Sequence, residues 1–279
     1  MAEITPALVG RLREMTNAGL MDCKNALVAT NGDLDLAVDV LRKKGAASAA
    51  KKADREAKEG LIAHAVLQGG KVGAIVEINC ETDFVARNDS FKAFASDIAA
   101  RVAANPAADL EADRIAAVAR IGENIQIRRH ARLEVPGNGL VAAYIHTGGK
   151  VGVLVEVAAE KAETVQNEDF KQIVRDITLQ IAAASPVAIS RASVPAAVIE
   201  KEKEIASQSD AIKGKPAVAV AKIIEGKLAK FFETSCLLEQ GFVKNPDLKV
   251  EAHLAAISKA LGDHIEVRKF LRFQVGEAI

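Results

Sequence analysis

Aromatic side chains are scarce in this chain: they make up 4% of 279 residues, with no tryptophan and one tyrosine. A phenylalanine that the core does not need therefore stands out. Cysteine is equally sparse. Cys23, Cys80 and Cys236 form no CxxC pair, which fits a reducing compartment where thiols serve as small apolar fillers. The histidines His64, His130, His146, His253 and His264 show no HxxxH or HExxH spacing, so neither a metal site nor a metal cofactor is expected. No stretch approaches the ~18 apolar residues that a membrane span needs. The start, MAEITPALVG, has no basic segment followed by an apolar run, and a cytoplasmic or organellar location is expected. Charge of one sign is missing too, with 37 basic against 37 acidic side chains. Without a polycationic field, direct nucleic-acid binding and membrane attachment are not expected.

What is present is a hydrophobic content of 49%, enough for a sizeable core in two or three domains. Residues 1–45 read as three short helices. Thr5 caps the first, with Pro6 at its first position and Leu8, Leu12 and Met15 along one face, and Asn17-Ala18-Gly19 ends it. The second holds Met21, Ala26 and Leu27. Asp33 caps the third, whose stripe is Leu36, Ala37, Val40 and Leu41, before Gly45. So small a core suits a docking module. Residues 46–59, AASAAKKADREAKE, carry charge and alanine without an apolar face and read as a linker.

From Gly60 the chain repeats itself. GLIAHAVLQGGKVGAIVEI (60–78) returns 79 residues later as GLVAAYIHTGGKVGVLVEV (139–157), and DSFKAFASDIAARVAA (89–104) as EDFKQIVRDITLQIAA (168–183). Each unit reads as a β-hairpin turned by Gly-Gly-Lys, then a helix, whose first copy has Phe91, Phe94, Ile98 and Val102 on one face. A closing strand, IGENIQIRRHARLEV (121–135), recurs as LGDHIEVRKFLRFQV (261–275). There the offset has grown from 79 to 140, so 61 residues have been added between Pro186 and about Asn245. The addition reads as an antiparallel helical hairpin, with Val198, Ile205 and Ile212 spaced in heptads, a break at Lys213-Gly214-Lys215-Pro216, then Val220, Ile224, Leu228 and Phe231. The fold class is α+β. Its parts are a three-helix module (1–45), a linker (46–59), a first core copy (60–138), a second core copy (139–186 and 235–279) and an inserted coiled-coil hairpin (187–234). That hairpin suits either a partner or a homodimer.

Gly69-Gly70-Lys71-Val72-Gly73 joins two strands, whereas a phosphate loop follows a strand and opens a helix; it is read as a structural turn. No triad or nucleophile elbow is visible, and no catalytic residue is assigned. The informative gap lies between the matched blocks. There the first copy reads CETDFVARN (80–88) and the second AEKAETVQN (159–167). Alone, Asp83 and Phe84 could be a helix cap and a core ring. The second copy builds the same scaffold with Ala162 and Glu163, so these two residues are candidates for anchoring a partner, in a loop just past a strand end. Arg128, Arg129 and Arg132 on the closing strand suit either an RNA contact or a solvated sheet face.

Three motifs, AGLMDCKNAL (18–27), NCETDFVARND (79–89) and IGENIQIRR (121–129), together with the repeated core, make the whole chain resemble the elongation factor Ts family. The resemblance implies a non-enzymatic guanine-nucleotide exchange factor for elongation factor Tu. It also implies an N-terminal module similar to ubiquitin-associated domains. By resemblance, Asp83 and Phe84 would enter the GTPase and disturb its bound magnesium, with Thr82 and Val85 shaping the intruding loop. Lys24, Ile121, Gly122 and His146 would supply further partner contacts. Many relatives continue past the GEAI-like ending with a short helix that contacts the GTPase; with the chain stopping at Ile279, that contact is expected to be absent.

Overall fold

The computed structural model describes residues 3–16, 18–209, 212 and 214–278. The breaks expected at Asn17 and Lys213 lie outside the described residues. The first helix, α1 (Pro6–Thr16), starts where Leu8 N–H donates to Thr5 Oγ1 at 3.3 Å. After α2 (Leu20–Ala29), Asp33 accepts from Leu36 N–H at 2.9 Å and opens α3 (Leu34–Lys52). Val9, Leu12, Cys23, Ala26, Leu27 and Ala37 form the centre of this cluster, with Leu34, Val38 and Leu41 against it.

The expected stripes hold in part: Leu8, Leu12, Ala26, Leu27, Ala37 and Leu41 lie in or against this cluster. Met15, Met21, Leu36 and Val40 face solvent, because alanines and their neighbours make the close helix contacts and leave the bulkier side chains outside. Nor does α3 end before Gly45. A Cβ at Gly45 would meet Ile115 at 3.4 Å and Ala119 at 3.6 Å, both on α6 (Glu111–Ile121), so the glycine is an inter-helix contact. Ala49 beyond it is buried in the neighbouring core. The first half of the expected linker is thus the end of α3.

Two antiparallel sheets follow. The first has the order β1 (Glu59–Leu67), β2 (Val72–Cys80), β3 (Gln126–Glu134); the second has β4 (Gly139–Ile145), β5 (Val151–Ala159), β8 (Ile265–Gln274). Helix α5 (Asp89–Ala104) covers the first sheet with Phe91, Phe94, Ile98 and Val102 buried, and α8 (Glu168–Ala184) covers the second with Phe170, Ile173 and Ile177. The strand expected over 121–135 is shorter, since Ile121 ends α6 and Gly122 turns the chain at φ 89°. The uncovered faces meet through Ile62, Ile75, Leu133, Val141, Leu154 and Phe273. Glycine permits this approach: a Cβ at Gly73 would lie 2.5 Å from Val141, and one at Gly152 would lie 2.5 Å from Ile62.

A buried carboxylate fastens the C-terminal segment to the first sheet. Glu77 accepts from Arg128 at 3.0 Å, from Arg129 at 2.7 Å and from Gly276 N–H at 3.0 Å. Burial pushes its pKa up, but these hydrogen bonds and the Arg129 charge outweigh that, and it lies below the usual carboxylate value. Glu156 holds the matching place on β5, and among the described residues no hydrogen bond reaches it. The position matching Gly276 is Pro136, which has no N–H. Burial raises the Glu156 pKa, and the charges of Arg268 and Lys269 oppose this only in part. A raised carboxyl pKa means stability falls as pH rises from the unfolded value through the folded one. Glu156→Gln is therefore expected to stabilise the chain at pH 7, by about 1 kcal/mol. In urea titrations the gain should disappear below the ordinary glutamate pKa.

The segment expected as an insertion contains α9 (Ala196–Ser207) and α10 (Ala217–Ser235), which pack against each other and extend roughly 18 and 28 Å at 1.5 Å per residue. No residue of α10 is buried. The expected Val198–Ile205–Ile212 stripe does not run along one helix, because α9 stops at Ser207. Val198, Phe231 and Phe232 instead pack at the base around Ala188, Val194 and Cys236. The chain returns through a small ribbon, β6 (Gly241–Phe242) with β7 (Asn245–Lys249), and α11 (Val250–Leu261). Among the described residues no helix is long and apolar enough to cross a membrane.

Candidate partner-binding site

Strand β2 ends at Cys80, and two residues later Thr82 takes an extended conformation and caps a new helix, its Oγ1 accepting from Val85 N–H at 3.3 Å. Thr82, Asp83, Phe84 and Val85 thus form the start of α4 (Asp83–Arg87), a turn of helix where a loop was expected. Ala86 is buried and Val85 packs beside it on the first core, which fixes the inner face. On the outer face Phe84 is 82% exposed, so it is not a core ring. Asp83 stands next to it, half-buried and paired with the largely solvated Arg87 at 3.1 Å. The Cys80 thiol below is pushed up to about 12, first by burial and then by the Glu123 carboxylate, and stays an inert filler.

The base of this tip is tied down from α6. Glu123, directly after Ile121 and Gly122, accepts from Glu81 N–H and Thr82 N–H, each at 3.0 Å, and from the Thr82 hydroxyl at 2.6 Å. In return, Glu81 accepts from Asn124 N–H at 2.6 Å. Asn124 also donates to the carbonyls of Arg55 and Ala53, at 2.7 and 3.3 Å, where α3 has just ended. Ile121 and Gly122 are thereby placed beside the tip. A depression of about 890 Å³ separates Asp83 and Arg87 from Ile145, Gly148, Gly149 and Lys150 on the β4–β5 turn. His146 sits exposed on that turn, with Nδ1 3.1 Å from the Tyr144 hydroxyl. Lys24 is exposed on α2, in the three-helix cluster.

A family model described as Elongation factor TS matches residues 81–277, a span that begins at the base of the tip. The chain belongs to the elongation factor Ts family. Elongation factor Ts of Bdellovibrio bacteriovorus is 45% identical over 99% of this chain and 94% of its own. That of Nautilia profundicola is 45% identical over 100% and 95%, and that of Trichlorobacter lovleyi 44% over 99% and 94%. The likeness to elongation factor Ts therefore includes the three N-terminal helices as well as the core.

Within this elongation factor Ts family member the second sheet carries the same device without the ring. Helix α7 (Ala162–Gln166) buries Thr164 and Val165 and exposes Ala162 and Glu163, where the first half has half-buried Asp83 and exposed Phe84. Asp263, which holds the place of Glu123, accepts from Lys161 N–H at 3.1 Å. Glu123 was not singled out by sequence reasoning, although the signal was there: an acidic residue follows the Gly after a helix in both halves. Of the arginines singled out on β3, Arg128 and Arg129 bind Glu77, and Arg132 binds Glu134 at 2.6 Å and the Ala103 carbonyl at 2.9 Å. Among the described residues no group of three or more His, Cys, Asp or Glu could hold a metal ion.

Proposed function

We propose that the chain is a guanine-nucleotide exchange factor that binds elongation factor Tu and speeds release of GDP, acting without covalent chemistry. The observation that carries this reading is Phe84, an exposed ring beside a carboxylate on a braced turn of helix. A GTPase holds GDP through phosphate-loop amides and a magnesium ion that neutralises phosphate charge. Pressing a benzyl group and an acidic side chain towards that ion weakens the hold. Thr82 and Val85 set the tip's shape, and Ile121, Gly122, His146 and Lys24 are further contacts on the same partner.

Magnitudes argue for several patches. Accelerating release by about 10³ to 10⁴ fold needs roughly 4 to 6 kcal/mol, while burying one phenylalanine supplies about 1.5 to 3 kcal/mol. The remainder comes from the depression, the β4–β5 turn and the three-helix cluster, over an interface of about 2,000 Å² or more. We also read the two sheet-and-helix halves as copies of one unit, and the first three helices as a ubiquitin-associated-like docking module. Reciprocity follows from linkage: GDP weakens the factor's grip as much as the factor weakens GDP's.

Stopped-flow release of a fluorescent GDP from elongation factor Tu tests the reading. The expected result is a release rate that climbs with concentration of this chain to a plateau about a thousandfold or more above the spontaneous rate. Unchanged release, with binding still detectable, would leave only a tethering role.

A further inference from the structure

We infer that Glu123 is a positioning residue for the exchange tip, setting the direction in which Asp83 and Phe84 are presented; this rests on the reading of those two residues given above. Helix α4 has five residues, too few to persist by hydrogen bonding of its own backbone. Its orientation has to be imposed. Both oxygens of Glu123 are engaged in doing so, Oε2 by the N–H groups of Glu81 and Thr82 and Oε1 by the Thr82 hydroxyl. That last bond has a second effect. A threonine hydroxyl has one proton, and with the proton directed at Glu123 the oxygen presents its lone pairs to Val85 N–H, the donor that it caps. The relay from Glu123 through Thr82 to Val85 brackets Asp83 and Phe84 in sequence and in space. The three bonds that end on the Glu123 carboxylate are charge-assisted, stronger than neutral ones. The reciprocal bond from Asn124 N–H to Glu81 closes the clasp.

The second half supplies an internal control. Asp263 accepts from Lys161 N–H at the base of α7, where Lys161 offers no capping side chain, and α7 presents Ala162 and Glu163 and no ring. A carboxylate in this place therefore serves the fold in both halves, and only in the first does it aim an anchor. Loosening the clasp at Glu123 makes the partner pay for ordering the tip during nucleotide release. The remaining patches still dock the chain. The maximal rate is then lowered with little change in the concentration that half-saturates it.

The experiment measures GDP release from elongation factor Tu against concentration of the full chain for the parent, Glu123→Gln, Phe84→Ala, the double variant and Asp263→Asn. Glu123→Gln is expected to lower the maximal rate about tenfold, equivalent to about 1.4 kcal/mol, with half-saturation moved less than twofold. Combined with Phe84→Ala its further effect should be much smaller than tenfold, since only its action through Asp83 is left. Asp263→Asn should lose comparable thermal stability yet keep the parental maximal rate. A parental rate for Glu123→Gln beside a slow Phe84→Ala overturns the positioning role alone. A parental rate for Phe84→Ala overturns the tip reading itself. Additive losses in the double variant, or an equal loss from Asp263→Asn, assign Glu123 to general stability and also overturn the proposal. If Glu123→Gln does not fold, Thr82→Val carries the test, since it keeps both backbone bonds and removes the relay; it too should lower the maximal rate, and a parental rate refutes the role.

Discussion

Phe84→Ala is expected to slow GDP release from elongation factor Tu by about 10- to 150-fold at saturating factor, with no change in the thermal unfolding of the free chain. The two halves of this expectation come from one number. With the ring 82% exposed, its removal costs the free fold almost nothing, as surface substitutions usually stay within about 0.5 kcal/mol. Its value appears only when a partner removes it from water, worth about 1.5 to 3 kcal/mol, and each 1.4 kcal/mol is tenfold. Stopped-flow release and calorimetry, run on the same preparation, check both halves. A variant that exchanged normally, or that lost its fold, would contradict the placement of this ring.

The other large effect concerns stability. Replacing Glu77 with alanine should cost about 3 to 5 kcal/mol, the usual loss when one member of a buried ion pair is removed. Arg128, Arg129 and Gly276 N–H would lose their shared acceptor at the seam between β2, β3 and the C-terminal segment. The folded-state pKa of Glu77 lies below its ordinary value of 4.5. Its stabilisation is accordingly complete above that value and is lost as pH falls through the folded pKa. Urea midpoints at neutral pH should differ widely between parent and Glu77→Ala and converge in acid. A gap that persisted unchanged in acid would assign the loss to packing instead of charge. The opposite slope expected for Glu156→Gln makes the pair a check on the asymmetry introduced by Pro136.

Much of this architecture could be read from internal comparison of the chain. The Gly-Gly-Lys turns, the helix face of Phe91, Phe94, Ile98 and Val102, and two helices between Pro186 and Asn245 all have the expected places. That Phe84 lies outside the core was legible for a physical reason: a second stretch of similar sequence does without the ring. Local periodicity served less well in the first 45 residues. There it picked out Leu12, Ala26, Leu27 and Ala37, which are buried, but also Met15, Met21, Leu36 and Val40, which are exposed. Gly45 looked like a terminator because its contact is with α6, far along the chain. Glu123 escaped notice for the same cause, since its partners Glu81 and Thr82 lie 41 to 42 residues away. The arginines of β3 gave no sign that a single buried carboxylate would take two of them.

Fluorine NMR on the full chain with para-fluorophenylalanine at position 84 addresses the central claim most directly, through the solvent-isotope shift of that one resonance. In the free chain the shift should be that of a ring in water. With GDP-loaded elongation factor Tu added and then nucleotide removed, the account predicts a resonance that no longer responds to exchange of H₂O for D₂O, because the ring has entered the partner. A ring that stayed fully solvated in a complex that still releases GDP would contradict it.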